Sequence, residues 1–118
     1  MDMTVTADEL DGWALLRVSG EVDIASAPRL RETLIGVIAG GQPRVVLDLD
    51  GVDFLDSTGL GVIVSALKRT RTHGGDLRIV STRPSVRQLF ELTGLDLAMP
   101  VVGSAAEAVR SGPEAPGG

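Results

Sequence analysis

The sequence predicts an α/β fold on a mixed sheet of about five strands. Three observations carry this. The chain opens with two alternating segments, Met3 to Ala7 and Trp13 to Ser19, separated by Asp11-Gly12, and an Asp-Gly pair between alternating runs is a hairpin signal. From Ser26 onward, apolar stripes at helical spacing alternate with short β-branched runs, the pattern of parallel strands joined by helical crossovers. Gly40-Gly41, Pro43, Gly74-Gly75 and Pro84 fall at the boundaries between these segments, where chain breaks belong. The resulting order is β-β-α-β-α-β-α-β-α, with right-handed crossovers expected.

Each element has its own reason. In the second strand Trp13, Leu15 and Arg17 share one side, and Ala14, Leu16 and Val18 the other. Gly20 to Ile24 reads as a connector. Ser26 is placed to cap a helix whose first turn holds Pro28, where the missing N–H costs little, and whose stripe is Leu30, Leu34, Val37 and Ile38. Arg44 to Asp50 is a central strand and Gly51 to Leu55 a short connection. Asp56-Ser57-Thr58 precedes the stripe Leu60, Ile63, Val64 and Leu67. Arg69, Arg71 and His73 near that helix's end complement its dipole. Leu77 to Val80 is the fourth strand. Pro84-Ser85 opens a third helix with Val86, Leu89, Phe90 and Thr93 inward. Gly94 stands where an αL cap ends a helix, with Leu95 supplying the apolar contact. Leu97 to Val102 is expected as a short edge strand, with Pro100 fitting an edge, and Ser104 to Arg110 as a short amphipathic helix.

Composition narrows the function. At 118 residues the chain is one domain by the usual size of about 150 residues. It has 0 Cys, which removes disulfide scaffolds, thiolate metal sites and cysteine nucleophiles. The net charge of -5 repels phosphate backbones, so no direct nucleic acid partner is expected. Trp13, Phe54 and Phe90 are the only aromatic residues, which argues against base-stacking platforms. No apolar run approaches the roughly 18 residues of a membrane span. Met1 to Leu10 holds acids and no basic segment, unlike a secretory signal. The expectation is a cytoplasmic protein without a membrane partner.

The run Asp56-Ser57-Thr58-Gly59-Leu60-Gly61 is the most informative. Hydroxyls at the start of a helix face outward-pointing N–H groups and the positive end of the dipole, so a phosphate on Ser57 would be well placed there. Asp56 or Ser57 as a plain N-cap explains the same residues. The two glycines weigh against a purely structural role, since each costs up to about 1 kcal/mol against Ala in a helix; they would keep the surface low for an approaching protein. Gly20-Glu21-Val22-Asp23 ends a strand before another helix and can lie beside this turn. Asp48, Asp50, Asp53 and Asp56 invite a Mg²⁺ reading, but solvated loop acids fit better. His73, the lone histidine, reads as a C-terminal cap. Gly59-Leu60-Gly61 does not extend to a dinucleotide fingerprint, and the sole lysine, Lys68, sits in mid-helix away from any phosphate loop. No cofactor and no metal are expected.

Gly20-Glu21-Val22-Asp23, Ser26-Ala27-Pro28, Val46-Leu47-Asp48-Leu49 and Asp56-Ser57-Thr58-Gly59-Leu60-Gly61, at these spacings, strongly resemble the STAS-domain anti-sigma factor antagonists, the bacterial anti-anti-sigma factors of partner-switching systems. Gly74-Gly75 and Arg87 to Leu95 continue the match. The resemblance covers residues 3 to 110. It implies a single STAS domain (1–110) with about four helices packed mainly on one side of the sheet; residues 111–118, rich in Gly and Pro, match nothing and read as a disordered tail. It implies a phosphoprotein of transcription regulation rather than an enzyme, with Ser57 as phosphoacceptor. The unphosphorylated form would bind an anti-sigma factor serine kinase and so release the sigma factor. Phosphorylation would end that binding, and a PP2C-type phosphatase would reverse it. The implied partner-binding surface is Glu21, Asp23, Ile24 and Ser26 with Asp56, Ser57, Thr58, Gly59, Leu60 and Gly61. Two alternatives compete. A STAS scaffold or transporter-associated module shares the fold, but often lacks the acceptor that Asp56-Ser57-Thr58-Gly59 preserves. A phosphorelay receiver requires a lysine after its last main strand, and Lys68 is not there.

Overall fold

The two hairpin residues Asp11 and Gly12 both take positive φ, 52° and 83°, the combination whose twist matches that of the flanking strands. β1 (Thr4–Leu10) and β2 (Trp13–Val22) are thereby paired antiparallel, from Thr4 opposite Ser19 to Leu10 opposite Trp13. The computed structural model describes residues 2–110. After the hairpin come α1 (Ala27–Ala39), β3 (Arg44–Leu55), α2 (Ser57–Thr72), β4 (Asp76–Val80), α3 (Pro84–Leu92), a 3-10 turn (Leu95–Leu97), β5 (Val101–Val102) and α4 (Ala105–Arg110). The sheet runs β1-β2-β3-β4-β5, and β2 to β5 are parallel. This is the five-stranded mixed α/β sheet that the element order implies.

The period-2 alternation sorts the strands' side chains onto two faces. Leu16, Val18, Val45, Leu47 and Ile79 turn toward Leu30, Leu34 and Ile38 of α1, Ile63 and Leu67 of α2, and Val86 and Phe90 of α3. Trp13, Leu15, Val46 and Val80 turn the other way, under Ala108 of α4. Three helices therefore cover one face and one short helix the other. Full burial of a large apolar side chain contributes about 1.5–3 kcal/mol, so the larger cluster dominates the stability. On the α4 face Arg78 lies 4.5 Å from the Trp13 ring centroid and donates to the Ala108 carbonyl at 2.7 Å. Its guanidinium also pairs with the buried Asp76 at 3.7 Å.

Several boundaries differ from the sequence reading. β1 runs past Ala7 to Leu10, because the tight turn lets Asp8 and Glu9 pair with Leu15 and Ala14. β2 and β3 both continue through the stretches read as connectors. Gly51, Val52, Phe54 and Leu55 pair with Ser19, Gly20, Glu21 and Val22, through two register shifts. Gly20 makes this continuation possible: its φ is 92°, and a Cβ there would strike the Asp2 carbonyl oxygen. The expected edge strand from Leu97 shrinks to Val101–Val102. Gly94, in the αL region at φ 74°, instead leads into the 3-10 turn. Thr93 is exposed rather than inward, and its hydroxyl donates to the Leu89 carbonyl at 2.8 Å. The tail expected to be disordered, 111–118, lies outside the described residues.

Candidate functional site

β2 and β3 are parallel neighbours, so the segments that follow them emerge at the same edge of the sheet. Val22 stands opposite Leu55 in the register, and the Asp56 N–H donates to the Val22 carbonyl at 3.2 Å. That bond joins the Glu21–Ser26 segment to the Asp56–Gly61 turn. The structure thus places together the two stretches singled out in the sequence.

Asp56, extended at φ -102° and ψ -176°, is the N-cap of α2. Its Oδ1 accepts from the Thr58 N–H at 2.9 Å and the Gly59 N–H at 3.0 Å, satisfying two donors that a helix start leaves unpaired. Ser57 is the first residue of the helix and exposed. Its hydroxyl bonds to no described residue. Of the two residues able to cap, Asp56 does so and Ser57 does not. One expectation changes as a result. The Thr58 and Gly59 N–H groups, which would have cradled a phosphate on Ser57, are already held by Asp56; the helix dipole and the Ser57 N–H remain.

The two glycines of the turn also differ in role. A Cβ on Gly59 would lie 2.6 Å from Val22 Cγ1 and 2.7 Å from Leu55 Cδ1, closer than packed atoms tolerate. Gly59 is buried, and it lets α2 start hard against the ends of β2 and β3. Gly61 is exposed and a Cβ there would meet nothing within 4 Å. Only Gly61 matches the idea of a surface kept low. Leu60 turns inward, 7% exposed, into the main core. Thr58 is exposed.

The neighbouring loop is tied by its own polar groups. Asp23 Oδ1 accepts from the Ala25 and Ser26 N–H groups, each at 3.0 Å. The Ser26 hydroxyl donates to the Glu21 carbonyl at 2.7 Å and accepts from the Asp23 N–H at 3.0 Å. Ser26 occupies the N-cap position of α1, but its side chain makes no capping bond. It folds the loop instead, a correction to the cap expected for it. The Ser26 N–H above all holds the Asp23 carboxyl below its ordinary value; desolvation opposes it, and the Ser26 hydroxyl and the Ala25 N–H add to the lowering. Ile24 projects from this tied loop 74% exposed. An apolar side chain of that size, held out on a fixed loop, is a natural contact for another protein. Glu21 is half-buried.

The remaining acids are engaged individually. Asp50 Oδ1 accepts from both the N–H and the hydroxyl of Thr82 at 2.7 Å; the Thr82 N–H, then its hydroxyl, keep the Asp50 carboxyl low. Asp53 pairs with Arg83 at 3.3 Å. Asp48 faces Arg17 at 4.0 Å. They are pinned to neighbours rather than simply solvated, and among the described residues no group of three or more acids, His or Cys could hold a metal. His73 is the C-cap residue of α2, and its Nδ1 lies 2.8 Å from the Arg69 carbonyl oxygen. Phe54, 49% exposed and paired across the strands with Glu21, was absent from the sequence-derived set. The signal was an aromatic residue just ahead of Leu55-Asp56 in a chain with three aromatics.

A family model for the STAS domain matches residues 4–108, and the chain belongs to that family. BtrV of Bordetella bronchiseptica, named for the role of anti-sigma factor antagonist, is 35% identical over 102 residues, covering 86% of this chain and 88% of that protein. The anti-sigma-B factor antagonist of Staphylococcus aureus is 32% identical over 95 residues, covering 80% and 88%. The crystal structure of an anti-sigma factor antagonist from Mycobacterium paratuberculosis superposes with a TM-score of 0.84 at 31% identity, covering 92% of each chain. These relatives are regulatory proteins rather than enzymes by their names. No helix among the described residues is long and apolar enough to cross a membrane.

Proposed function

We propose that this protein is a cytoplasmic anti-sigma factor antagonist: unphosphorylated, it binds an anti-sigma factor serine kinase and releases the sigma factor, and phosphorylation of Ser57 switches that binding off. The observation that carries the reading is the state of Ser57. Its hydroxyl is exposed and unused, at the start of a helix already capped by Asp56, beside a tied loop that presents Ile24. A kinase can reach such a hydroxyl without unfolding anything. The γ-phosphoryl of ATP would pass to Ser57 Oγ, with the hydroxyl proton leaving to a base on the kinase and ADP as the other product.

The new group brings about −1.5 to −2 charges at pH 7. The Asp56 carboxylate stands one residue away and occupies two of the donors that would otherwise neutralise a phosphate. A partner surface shaped around a neutral hydroxyl cannot bury that charge cheaply, so the complex separates. The switch is local, in charge and fit, and needs no refolding. A PP2C-type phosphatase acting on the exposed phosphoserine resets it. The test is incubation with candidate anti-sigma factor kinases and Mg-ATP, then mass spectrometry of the peptide spanning Asp56 to Lys68. Stoichiometric phosphate on Ser57 is expected. Binding to a transporter subunit with no phosphate uptake would favour the scaffold reading instead.

A further inference from the structure

Ile24, Phe54, Leu92 and Leu97 are exposed large apolar side chains. A lone exposed apolar residue needs no explanation; what sets Ile24 apart is the loop that carries it. The chain leaves β2 at Val22 and enters α1 at Ala27. Between them the Asp23 carbonyl accepts from the Ser26 and Ala27 N–H groups at 3.2 and 2.8 Å, so the chain turns at once. The Ser26 hydroxyl spans the turn, accepting from the Asp23 N–H at 3.0 Å and donating to the Glu21 carbonyl at 2.7 Å. A hydroxyl has one hydrogen to give, and this one is spent inside the loop. Ile24 and Ala25 are exposed and belong to neither apolar cluster. Polar bonds, not packing, therefore set the shape of the loop tip.

The loop tip and Ser57 belong to one edge of the sheet. Val22 and Leu55 stand opposite each other on adjacent strands, and the Asp56 N–H bonds the Val22 carbonyl just beyond them. Ile24 and Ser57 each follow that pair by two residues. With neighbouring strands about 4.8 Å apart and consecutive Cα atoms about 3.8 Å apart, their Cα atoms are separated by at most about 20 Å. An ordinary interface, with about 800 Å² on each partner, is about 30 Å across. A partner that covers Ser57 therefore has Ile24 within its span.

We propose that Ser26 is a positioning residue for the partner contact: it holds the loop in the shape that presents Ile24, and Ile24 enters an apolar pocket on the anti-sigma factor kinase. The inference rests on the antagonist reading above, which supplies the partner. It moves Ser26 from the contact surface to the support behind it. A partner that meets an already ordered loop loses less conformational freedom on binding, and affinity rises for that reason. Ile24 carries no charge, so its contribution to affinity is separate from the phosphate switch at Ser57.

The experiment is a double-mutant cycle. Wild type, Ile24→Ala, Ser26→Ala and the double variant are titrated against the kinase that phosphorylates Ser57, with melting temperatures measured alongside. Ile24→Ala is expected to bind at least about tenfold more weakly, as loss of an anchor does. Ser26→Ala is expected to bind about three- to tenfold more weakly, the range of one lost hydrogen-bonding group. In the Ile24→Ala background the same Ser26 change should cost less than about twofold, because the loop has nothing left to present; residues that act through each other are non-additive in this way. With the protein as kinase substrate, both single changes should raise KM and leave kcat for Ser57 nearly unchanged, a split that a general loss of structure does not give. Ile24→Ala alters an exposed side chain and tests the anchor even where Ser26→Ala melts too low to assay. Ile24→Ala binding within about twofold of wild type, or an equal Ser26→Ala loss in both backgrounds, overturns this proposal alone while Ser57 is still phosphorylated. A wild-type protein that binds no anti-sigma factor and takes up no phosphate overturns it together with the reading beneath it.

Discussion

Ser57 and Asp56 are adjacent and chemically alike as helix starters, yet only Asp56 bonds the helix N-terminus. That division decides what substitutions will do. Ser57→Ala removes a hydroxyl that holds nothing in the fold, so stability should stay within about 0.5 kcal/mol of wild type while phosphate uptake disappears. A melting curve and a phosphorylation assay on the same sample check both halves; continued stoichiometric uptake would put the acceptor elsewhere, with Thr58 the first suspect. Asp56→Ala removes both capping bonds and should cost about 0.5–2 kcal/mol, a fall of several degrees in melting temperature at this chain length. The sequence alone left the capping role open between the two residues, because either can reach a backbone N–H two or three positions on. Side-chain direction settles it, and only the fold supplies that.

At the scale of elements, the sequence shows which segments exist better than where they end. The hairpin, the three long helices and the inner strands follow from alternation and helical stripes. Gly20 and Gly51 were read as breaks, since glycine ends strands in isolation. Here they sit inside paired strands: Gly20 has a backbone carbonyl against it, and at Gly51 a Cβ would come within 2.8 Å of Ser19 Cβ. That crowding arises between residues far apart in the chain, Asp2 with Gly20 and Ser19 with Gly51, and has no local signature. The same effect separates Gly59 from Gly61. Gly59→Ala forces a Cβ into Val22 and Leu55 and should destabilise by about 1–3 kcal/mol, the usual cost of overpacking. Gly61→Ala meets nothing and should stabilise the helix by up to about 1 kcal/mol, while raising the surface beside Ser57 and weakening partner binding. Chemical denaturation of the two variants checks the opposite signs; equal effects would mean that both glycines serve the same purpose.

Across the whole molecule, acid should weaken the ties made by Asp23 and Asp50. Asp23 and Asp50 both have folded-state carboxyls held below the ordinary value of 3.8. Their contribution to stability is therefore complete above that unfolded value and is lost as pH falls through it toward the lower folded values. Unfolding free energy measured between about pH 5 and pH 2 should fall less steeply in Asp50→Asn than in wild type; an unchanged slope would show that the Thr82 bonds do not set the Asp50 proton affinity.

The central claim is that charge at position 57 controls a protein–protein contact. Calorimetric titration of wild type, Ser57→Asp and enzymatically phosphorylated protein against the same anti-sigma factor kinase, with ADP present, tests it directly. The helix dipole favours a carboxylate at position 57 in the free protein by about 0.3–1 kcal/mol. On binding, that carboxylate must lose its water against a surface made for a hydroxyl, beside the Asp56 charge. Ser57→Asp should bind at least tenfold more weakly than wild type, a penalty of about 1.4 kcal/mol, and phosphoserine, with more charge and volume, more weakly still. Equal affinities for all three forms would contradict the account.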